Sequence, residues 1–222
     1  MRKLSLILTI LLTLFLWMPL AYAVSLTLYD HANDSSTYAN LIPPTWFGQT
    51  IKPSTNYMLK VIQLNLYHIY NASSTTHIEN ITVGIAVYDS AKNITKFKAK
   101  TTVPTANLPR SAPAKLVNFT LPTAVLLFKG QTYYIVIYTN GTGTGEMIHF
   151  RVSADATAYP DGKMVSSTDG GKHWSDWGTK DMFFACFGTP DPSSYVYEFL
   201  PVLVLLIMLG VAVAMMQKLS KG

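Results

Sequence analysis

The chain has 222 residues, of which 49% are hydrophobic and 13% charged, and its formal net charge is +5. Four of its 17 basic residues lie near the two ends, and residues 24–194 keep 13 basic and 11 acidic residues, so the charge gives no support for nucleic-acid binding. The only cysteine, Cys186, excludes a disulfide within the chain, and we interpret it as a small buried residue of a core large enough to stabilise one domain.

The N-terminal segment has the pattern of a secretory signal peptide. Arg2 and Lys3 precede an uncharged run, residues 4–20, and the sequence Ala-Tyr-Ala follows. A basic start, an apolar run and small residues two positions apart are the features of a cleaved export signal. We therefore predict that residues 1–23 are removed by cleavage between Ala23 and Val24.

Residues 24–188 are predicted to form an ectodomain made of β-strands. Runs of β-branched and aromatic residues alternate with clusters of Gly, Pro, Asn, Asp and Ser, and no helical period is sustained there. The predicted strands are residues 24–30, 57–70, 81–88, 115–121, 132–139, 146–153 and 181–187. In the longest of them, Ile62, Leu64, Leu66 and His68 should share one face. This pattern favours an all-β, jelly-roll-like antiparallel sandwich.

Two segments between these strands carry further predictions. Lys96, Lys98 and Lys100 fall on one face if the segment is regularly extended, which indicates a charged edge strand, with a patch for polyanions as the alternative. Three prolines in residues 101–113 predict a long surface connection.

Residues 167–174, with the sequence Ser-Thr-Asp-Gly-Gly-Lys-His-Trp, predict a tight hairpin. The two glycines can supply positive φ angles, and the aspartate can accept hydrogen bonds from N–H groups of the turn. The motif resembles the Asp-box, Ser-x-Asp-x-Gly-x-Thr-Trp, of sialidases and other secreted β-proteins, with His173 in place of threonine. This resemblance implies a structural role, away from any active site, for Ser167, Asp169, Gly170, Gly171 and Trp174.

The tryptophans are the candidates for ligand contact. Trp174 is expected to fold back onto apolar surface and to be largely buried, and Trp46 is expected in the core. Trp177 is expected to keep one face in water, and with Asp176 and His173 it is a candidate glycan site, because aromatic rings beside polar groups suit sugar rings. A half-buried loop position for Trp177 is the alternative.

No catalytic motif of known spacing is present, and the five histidines are dispersed, so no catalytic residue is predicted. Asp30, Asn33 and Asp34, beside His31, could together offer oxygen ligands to Ca²⁺, although they match no defined calcium loop. No other metal or cofactor is predicted.

Six Asn-x-Ser/Thr sequons lie in the predicted ectodomain, which is many for a chain of this composition. Because the chain is predicted to be exported, we expect several of them to carry glycans. The asparagines are Asn33, Asn71, Asn80, Asn93, Asn118 and Asn140.

The C-terminal part predicts a membrane anchor. Residues 199–216 carry no charge, would span about 27 Å as a helix at 1.5 Å per residue, and are followed by Lys218 and Lys221. We predict a short spacer over residues 189–198, a transmembrane helix over 199–216 and a cytoplasmic basic tail over 217–222. The ectodomain would then lie outside the cell in a type I single-pass arrangement.

Two further resemblances concern most of the chain. Residues 47–50, 57–61, 64–67 and 126–136 resemble strands of the choice-of-anchor type β-sandwich domains of archaeal and bacterial surface proteins, over roughly residues 45–187. That resemblance implies a jelly roll similar in shape to carbohydrate-binding modules. Residues 197–201, the apolar run and the lysine tail resemble the PEF-type anchors of archaeal surface glycoproteins, with Tyr197 where those signals usually have proline.

These features predict a non-enzymatic, membrane-anchored surface glycoprotein with a role in binding, adhesion or envelope structure. Its expected partners are the membrane and glycans or other surface proteins. A secreted carbohydrate-active hydrolase, which would need two facing carboxylates, is one alternative. An envelope glycoprotein of a virus or vesicle would share every feature and is the other.

Overall fold

The computed structural model describes residues 25–32, 37–141, 145–154 and 158–219. The predicted signal peptide, its cleavage site at Ala23 and Val24, and the side chains of Asn33 and Asp34 lie outside these residues.

Within the described residues, thirteen strands form two sheets, and every strand pair is antiparallel. The first sheet contains β1 (Thr27–Ala32), β2 (Thr37–Leu41), β4 (Tyr57–Ile69), β7 (Lys115–Leu127), β9 (Met147–Ser153), β12 (Asp181–Met182) and β13 (Phe184–Pro190). The second contains β3 (Trp46–Ile51), β5 (Ile78–Asp89), β6 (Ile94–Pro104), β8 (Tyr133–Gly141), β10 (Met164–Ser167) and β11 (Ser175–Asp176). The predicted all-β, sandwich-like fold is confirmed.

The strand order places each element. In the first sheet the order is β1-β13-β4-β9-β12, with β2 paired to β9 and β7 paired to β4. In the second sheet the order is β11-β10-β3-β8-β5-β6. The long strand β4 is therefore central to the first sheet, and β3 and β8 are central to the second.

The inner faces of both sheets contribute to one core. Along β4, Ile62, Leu64 and Leu66 have no exposed surface and His68 is 2% exposed, which confirms the predicted alternation. Phe47 of β3 packs against Phe150 of β9, with ring centroids 5.2 Å apart, so the contact joins the two sheets. Burial of apolar surface is the main stabilising contribution in such a sandwich.

The structure corrects one prediction about the lysines of β6 and one about the connection that follows this strand. β6 lies at the edge of its sheet, as predicted, but the three lysines do not share a face. Ala99 pairs with Ile85 whereas Phe97 pairs with Ala86, so a bulge at Lys98 reverses the alternation. Because β6 continues to Pro104 and a single 3-10 turn, Thr105–Asn107, follows, the predicted surface connection begins later than expected.

The C-terminal helix α1 spans Pro192–Leu219 and begins directly after the last strand. Asp191 caps it by accepting hydrogen bonds from the backbone N–H and the hydroxyl of Ser193, at 3.0 and 2.7 Å. The predicted spacer over residues 189–198 is therefore divided between β13 and α1. No helix within the described residues is identified as a candidate membrane span from its length and hydropathy.

Candidate functional site

The outer side of the second sheet carries six half-buried aromatic side chains, which we call the outer aromatic face. Its members are Trp46, Tyr88, Phe97, Tyr134, Tyr138 and Trp174. Strand alternation places most of them there. Along β8, for example, Ile135 and Ile137 point into the core, so Tyr134 and Tyr138 point outward.

The centre of this face is a stacked pair of rings. The rings of Trp46 and Tyr138 lie 4.0 Å apart at 9° to each other, and Phe97 is 6.2 Å from both. Lys100 Nζ lies 5.1 Å from the centre of the Phe97 ring and donates a hydrogen bond of 3.2 Å to the Tyr138 hydroxyl. Apolar ring surface and polar groups therefore occur side by side.

Small residues beneath the rings let them lie close to the sheet. A Cβ atom added to Gly84 would stand 2.9 Å from Cδ1 of Phe97 and 2.7 Å from the Ala99 carbonyl oxygen. A Cβ atom on Gly48 would stand 3.2 Å from Cζ3 of Trp174. Glycine is therefore required at Gly84 for its close approach to the neighbouring strand.

The hairpin of residues 167–174 is held by its own polar side chains. Asp169 Oδ1 accepts hydrogen bonds from the N–H groups of Lys172 and His173, at 3.1 and 3.0 Å, and from the Ser167 hydroxyl at 2.7 Å. The hydrogen bond from the His173 N–H, followed by those from the His173 ring and Ser167, lowers the pKa of Asp169 well below its usual range. The two glycines have φ angles of 73° and 80°, the positive values that the sequence predicts.

This hairpin is docked on the outer aromatic face. The Trp174 indole donates a hydrogen bond of 2.9 Å to the Thr95 hydroxyl, which in turn donates one of 2.6 Å to the Gly171 carbonyl. The Tyr88 hydroxyl donates to the Lys172 carbonyl at 2.9 Å. The Asp-box-like motif thus borders the face and positions one of its rings.

The three residues of the predicted glycan site, Trp177, Asp176 and His173, each contact other protein groups. The Trp177 ring packs edge-on against Phe47, 5.2 Å away, at the margin of the core, and Lys180 Nζ lies 4.8 Å from its centre. Asp176 is bound by Lys163 at 2.7 Å, and His173 is bound by the Asp-box aspartate. These side chains therefore have separate partners, Trp177 is partly buried, and their role in glycan binding stays a prediction.

The expectation for Trp46 was wrong, because this residue lies on the outer face instead of in the core. Trp174 folds back onto the same face, where it is partly buried and its ring lies 5.8 Å from that of Tyr134. Phe47 and Gln49 of β3 are buried and point into the core. Because side chains alternate along a strand, Trp46 points to the opposite face. The spacing of Tyr134 and Tyr138, four apart around inward isoleucines, was a signal in the sequence for this face.

Asp30, one of the residues considered as a calcium ligand, is bonded to other protein groups. Asp30 is buried, and its two carboxylate oxygens accept hydrogen bonds from the hydroxyls of Tyr57, at 2.8 Å, and Tyr159, at 3.1 Å. His31 is exposed on the opposite side of β1. Among the described residues, no group of three or more His, Cys, Asp or Glu side chains is placed to hold a metal ion.

A second buried acid lies where β4, β5 and β9 begin or end. Glu146 accepts hydrogen bonds from the N–H groups of Asn71 and Ile78, at 3.2 and 2.8 Å, and pairs with Nδ1 of His77 at 2.6 Å. Burial by itself would raise the pKa of Glu146, but the hydrogen bonds from His77 and these N–H groups outweigh it and lower the pKa. His68, 3.6 Å away, has a pKa lowered mainly by burial.

Five of the six sequon asparagines lie in the described part of the chain. Asn93, Asn118 and Asn140 are exposed, and Asn71 and Asn80 are half-exposed. Asn80 and Asn140 are paired across β5 and β8 in the second sheet. Their glycosylation stays a prediction.

No protein-family model matches the chain, and no curated protein matches its sequence.

Proposed function

We propose that this protein is a membrane-anchored surface glycoprotein whose ectodomain binds saccharides through the outer aromatic face. The observation that carries this proposal is the set of six aromatic side chains on the outside of one sheet. The outer face of a solvated antiparallel sheet is normally polar, so a group of aromatic rings there indicates a surface that binds a partner.

The chemistry of the face favours a sugar as that partner. Saccharide rings offer C–H faces to aromatic rings and hydroxyl groups to polar neighbours. Phe97 and Tyr138 supply ring surface. Lys100 Nζ supplies hydrogen-bond donors, and the Tyr138 hydroxyl, which accepts from Lys100, can itself donate to a sugar oxygen. A purely apolar partner would leave these polar groups unsatisfied.

Binding can be tested on a glycan array with protein produced in a bacterium, so that no attached glycan competes. Phe97→Ala and Tyr138→Ala should each weaken binding by about 1–3 kcal/mol, as expected for aromatic residues at the centre of an interface. Tyr67→Ala is the matched control, since Tyr67 contacts His149 on the outside of the other sheet. Equal losses in all three variants, with folding intact, or no binding to any glycan, would refute saccharide binding by this face.

The proposed anchor is the apolar part of α1. Its side chains are exposed all around the helix, with Leu205, Ile207 and Met208 at 66%, 59% and 64%. Water is a poor environment for such a surface, and a bilayer would cover it. Deletion of residues 195–222 should release the ectodomain into the medium, and tight membrane association of that truncated protein would contradict the proposal.

Five further properties of the protein are inferred from its sequence. They are the export signal, glycans on several sequons, jelly-roll connectivity, and relationships to choice-of-anchor domains and PEF-type anchors. The buried acids Asp30, Glu146 and Asp181 each accept hydrogen bonds from protein groups.

A further inference from the structure

Asn140 lies next to the outer aromatic face, on the same side of β8 as Tyr138. It is exposed and follows Tyr138 by two residues, which corresponds to a distance of about 7 Å along a strand. Its cross-strand partner Asn80 is also a sequon asparagine. One end of the face is therefore bordered by two acceptors for N-linked glycans.

We propose that the glycan on Asn140 folds back onto the outer aromatic face and packs against Tyr138, which stabilises the second sheet. This inference rests on the proposed saccharide affinity of the face and names one source of the sugar: the protein itself. Attachment joins Nδ2 of Asn140 to the anomeric carbon of a lipid-phosphate-linked oligosaccharide, the amide loses one proton, and the lipid phosphate leaves.

The covalent attachment of the glycan to Asn140 is the physical reason why a weak contact with Tyr138 can form. A single sugar on an aromatic ring binds weakly when it comes from solution, but a covalent link converts the contact into an intramolecular one with a high effective concentration. One side of the Tyr138 ring is covered by Trp46, and Phe97 and Lys100 lie beside it. The residue nevertheless keeps part of its surface exposed, and the first sugars of an attached chain can pack there. Lys100, bonded to the Tyr138 hydroxyl, adds a donor for their oxygen atoms.

Asn118 provides a matched control. It is exposed on β7 in the other sheet, and its side chain accepts a hydrogen bond of 2.7 Å from Gln63 instead of lying beside a ring of the face. The full-length protein is produced in a glycosylating host and in a bacterium, with the variants Asn140→Gln, Asn118→Gln and Tyr138→Leu. Mass spectrometry of glycopeptides gives site occupancy, and melting temperatures are measured for each form.

In the glycosylated protein, N140Q should lower the melting temperature by about 2–4 °C, the shift that one aromatic contact is worth in a domain of this size. N118Q should change it much less, and N140Q made in the bacterium should melt like its parent. In a protein that already carries Y138L, adding N140Q should not lower the melting temperature further, because the ring that the glycan contacts is absent.

An unoccupied Asn140, or equal effects of N140Q and N118Q in the glycosylated protein, would overturn this inference. Neither result would affect the proposed function, because binding of free saccharides is measured on protein without attached glycans. Conversely, a stabilising Asn140 glycan with no array binding would leave the inference standing and remove the proposal for external ligands.

Discussion

The ring of Trp46 lies on the ring of Tyr138, with centroids 4.0 Å apart and planes 9° from parallel, on the outside of the second sheet. Trp46 belongs to β3 and Tyr138 to its neighbour β8. The contact therefore depends on the pairing of two strands that are far apart in the sequence. It forms the centre of the only face for which we propose a ligand.

Trp177 should be more important for global stability than Trp174. Trp177→Ala removes an edge-on contact with Phe47 and should cost about 2–3 kcal/mol, less than the ~3–5 kcal/mol of a fully buried aromatic residue. Trp174→Ala removes the hydrogen bond to Thr95 and should mainly detach the hairpin of residues 167–174. Urea denaturation measures the first effect, and amide hydrogen exchange in the hairpin measures the second. A larger global loss in W174A than in W177A would contradict this ranking.

Gly84→Ala should destabilise the second sheet. The new methyl group would lie 2.7 Å from the backbone oxygen of Ala99, which cannot move without disturbing the β5–β6 pairing, and we expect a cost of about 1–3 kcal/mol. Gly210→Ala in α1 is the control, because no atom lies within 4 Å of its added Cβ. Thermal unfolding of both variants tests this, and an unchanged melting temperature in G84A would show that β6 can shift.

Acidification should destabilise the protein through His68 and Glu146. The pKa of His68 is lowered from 6.5 in the folded protein. Its contribution to the free energy of unfolding is therefore complete above pH 6.5, and it is lost as the pH falls through the folded-state pKa. The pKa of Glu146 is lowered from 4.5, so its contribution is present above pH 4.5 and is lost at still lower pH. The free energy of unfolding should therefore decrease from pH 7 to pH 4.

The variant His68→Leu identifies the source of the upper part of this decrease. It removes the titrating ring but keeps an apolar side chain beside Glu146, where His77 and Arg110 are the other ionisable groups near His68. Urea denaturation at several pH values should show that the free energy of unfolding of H68L depends less steeply on pH just below pH 6.5. The same slope in the parent and in H68L would assign the effect to other groups.

Cys186 should be unreactive in the folded protein. It has no exposed surface, and burial, followed by the neighbouring Asp30 carboxylate, raises the pKa of its thiol far above the usual range. Iodoacetamide should label it only after denaturation, with one equivalent per chain. Rapid labelling of the native protein would indicate that β13 opens readily.

Local sequence patterns were sufficient to predict the long strands β4, β5, β7, β8 and β9 and the hairpin, whereas the core strand β3 was not predicted. The alternation of Ile62, Leu64 and Leu66 in β4 has a period of two, and this period follows from the backbone geometry of a single strand. The two glycines and the aspartate of the Asp-box-like motif likewise act within one turn. Such features depend on neighbours in sequence and can be predicted without knowing the rest of the fold.

The outer aromatic face depended on the tertiary structure. A period of two shows that alternate residues share a side, but only pairing with other strands determines which side faces the core. Trp46 was therefore assigned to the wrong side, and the bulge at Lys98 placed Phe97 and Lys100 together although they are three residues apart. The sequence by itself determined where the long strands and the hairpin form. Long-range pairing of β3, β8, β5 and β6 decided which side chains meet, because it joins segments as far apart as Phe47 and Ile137.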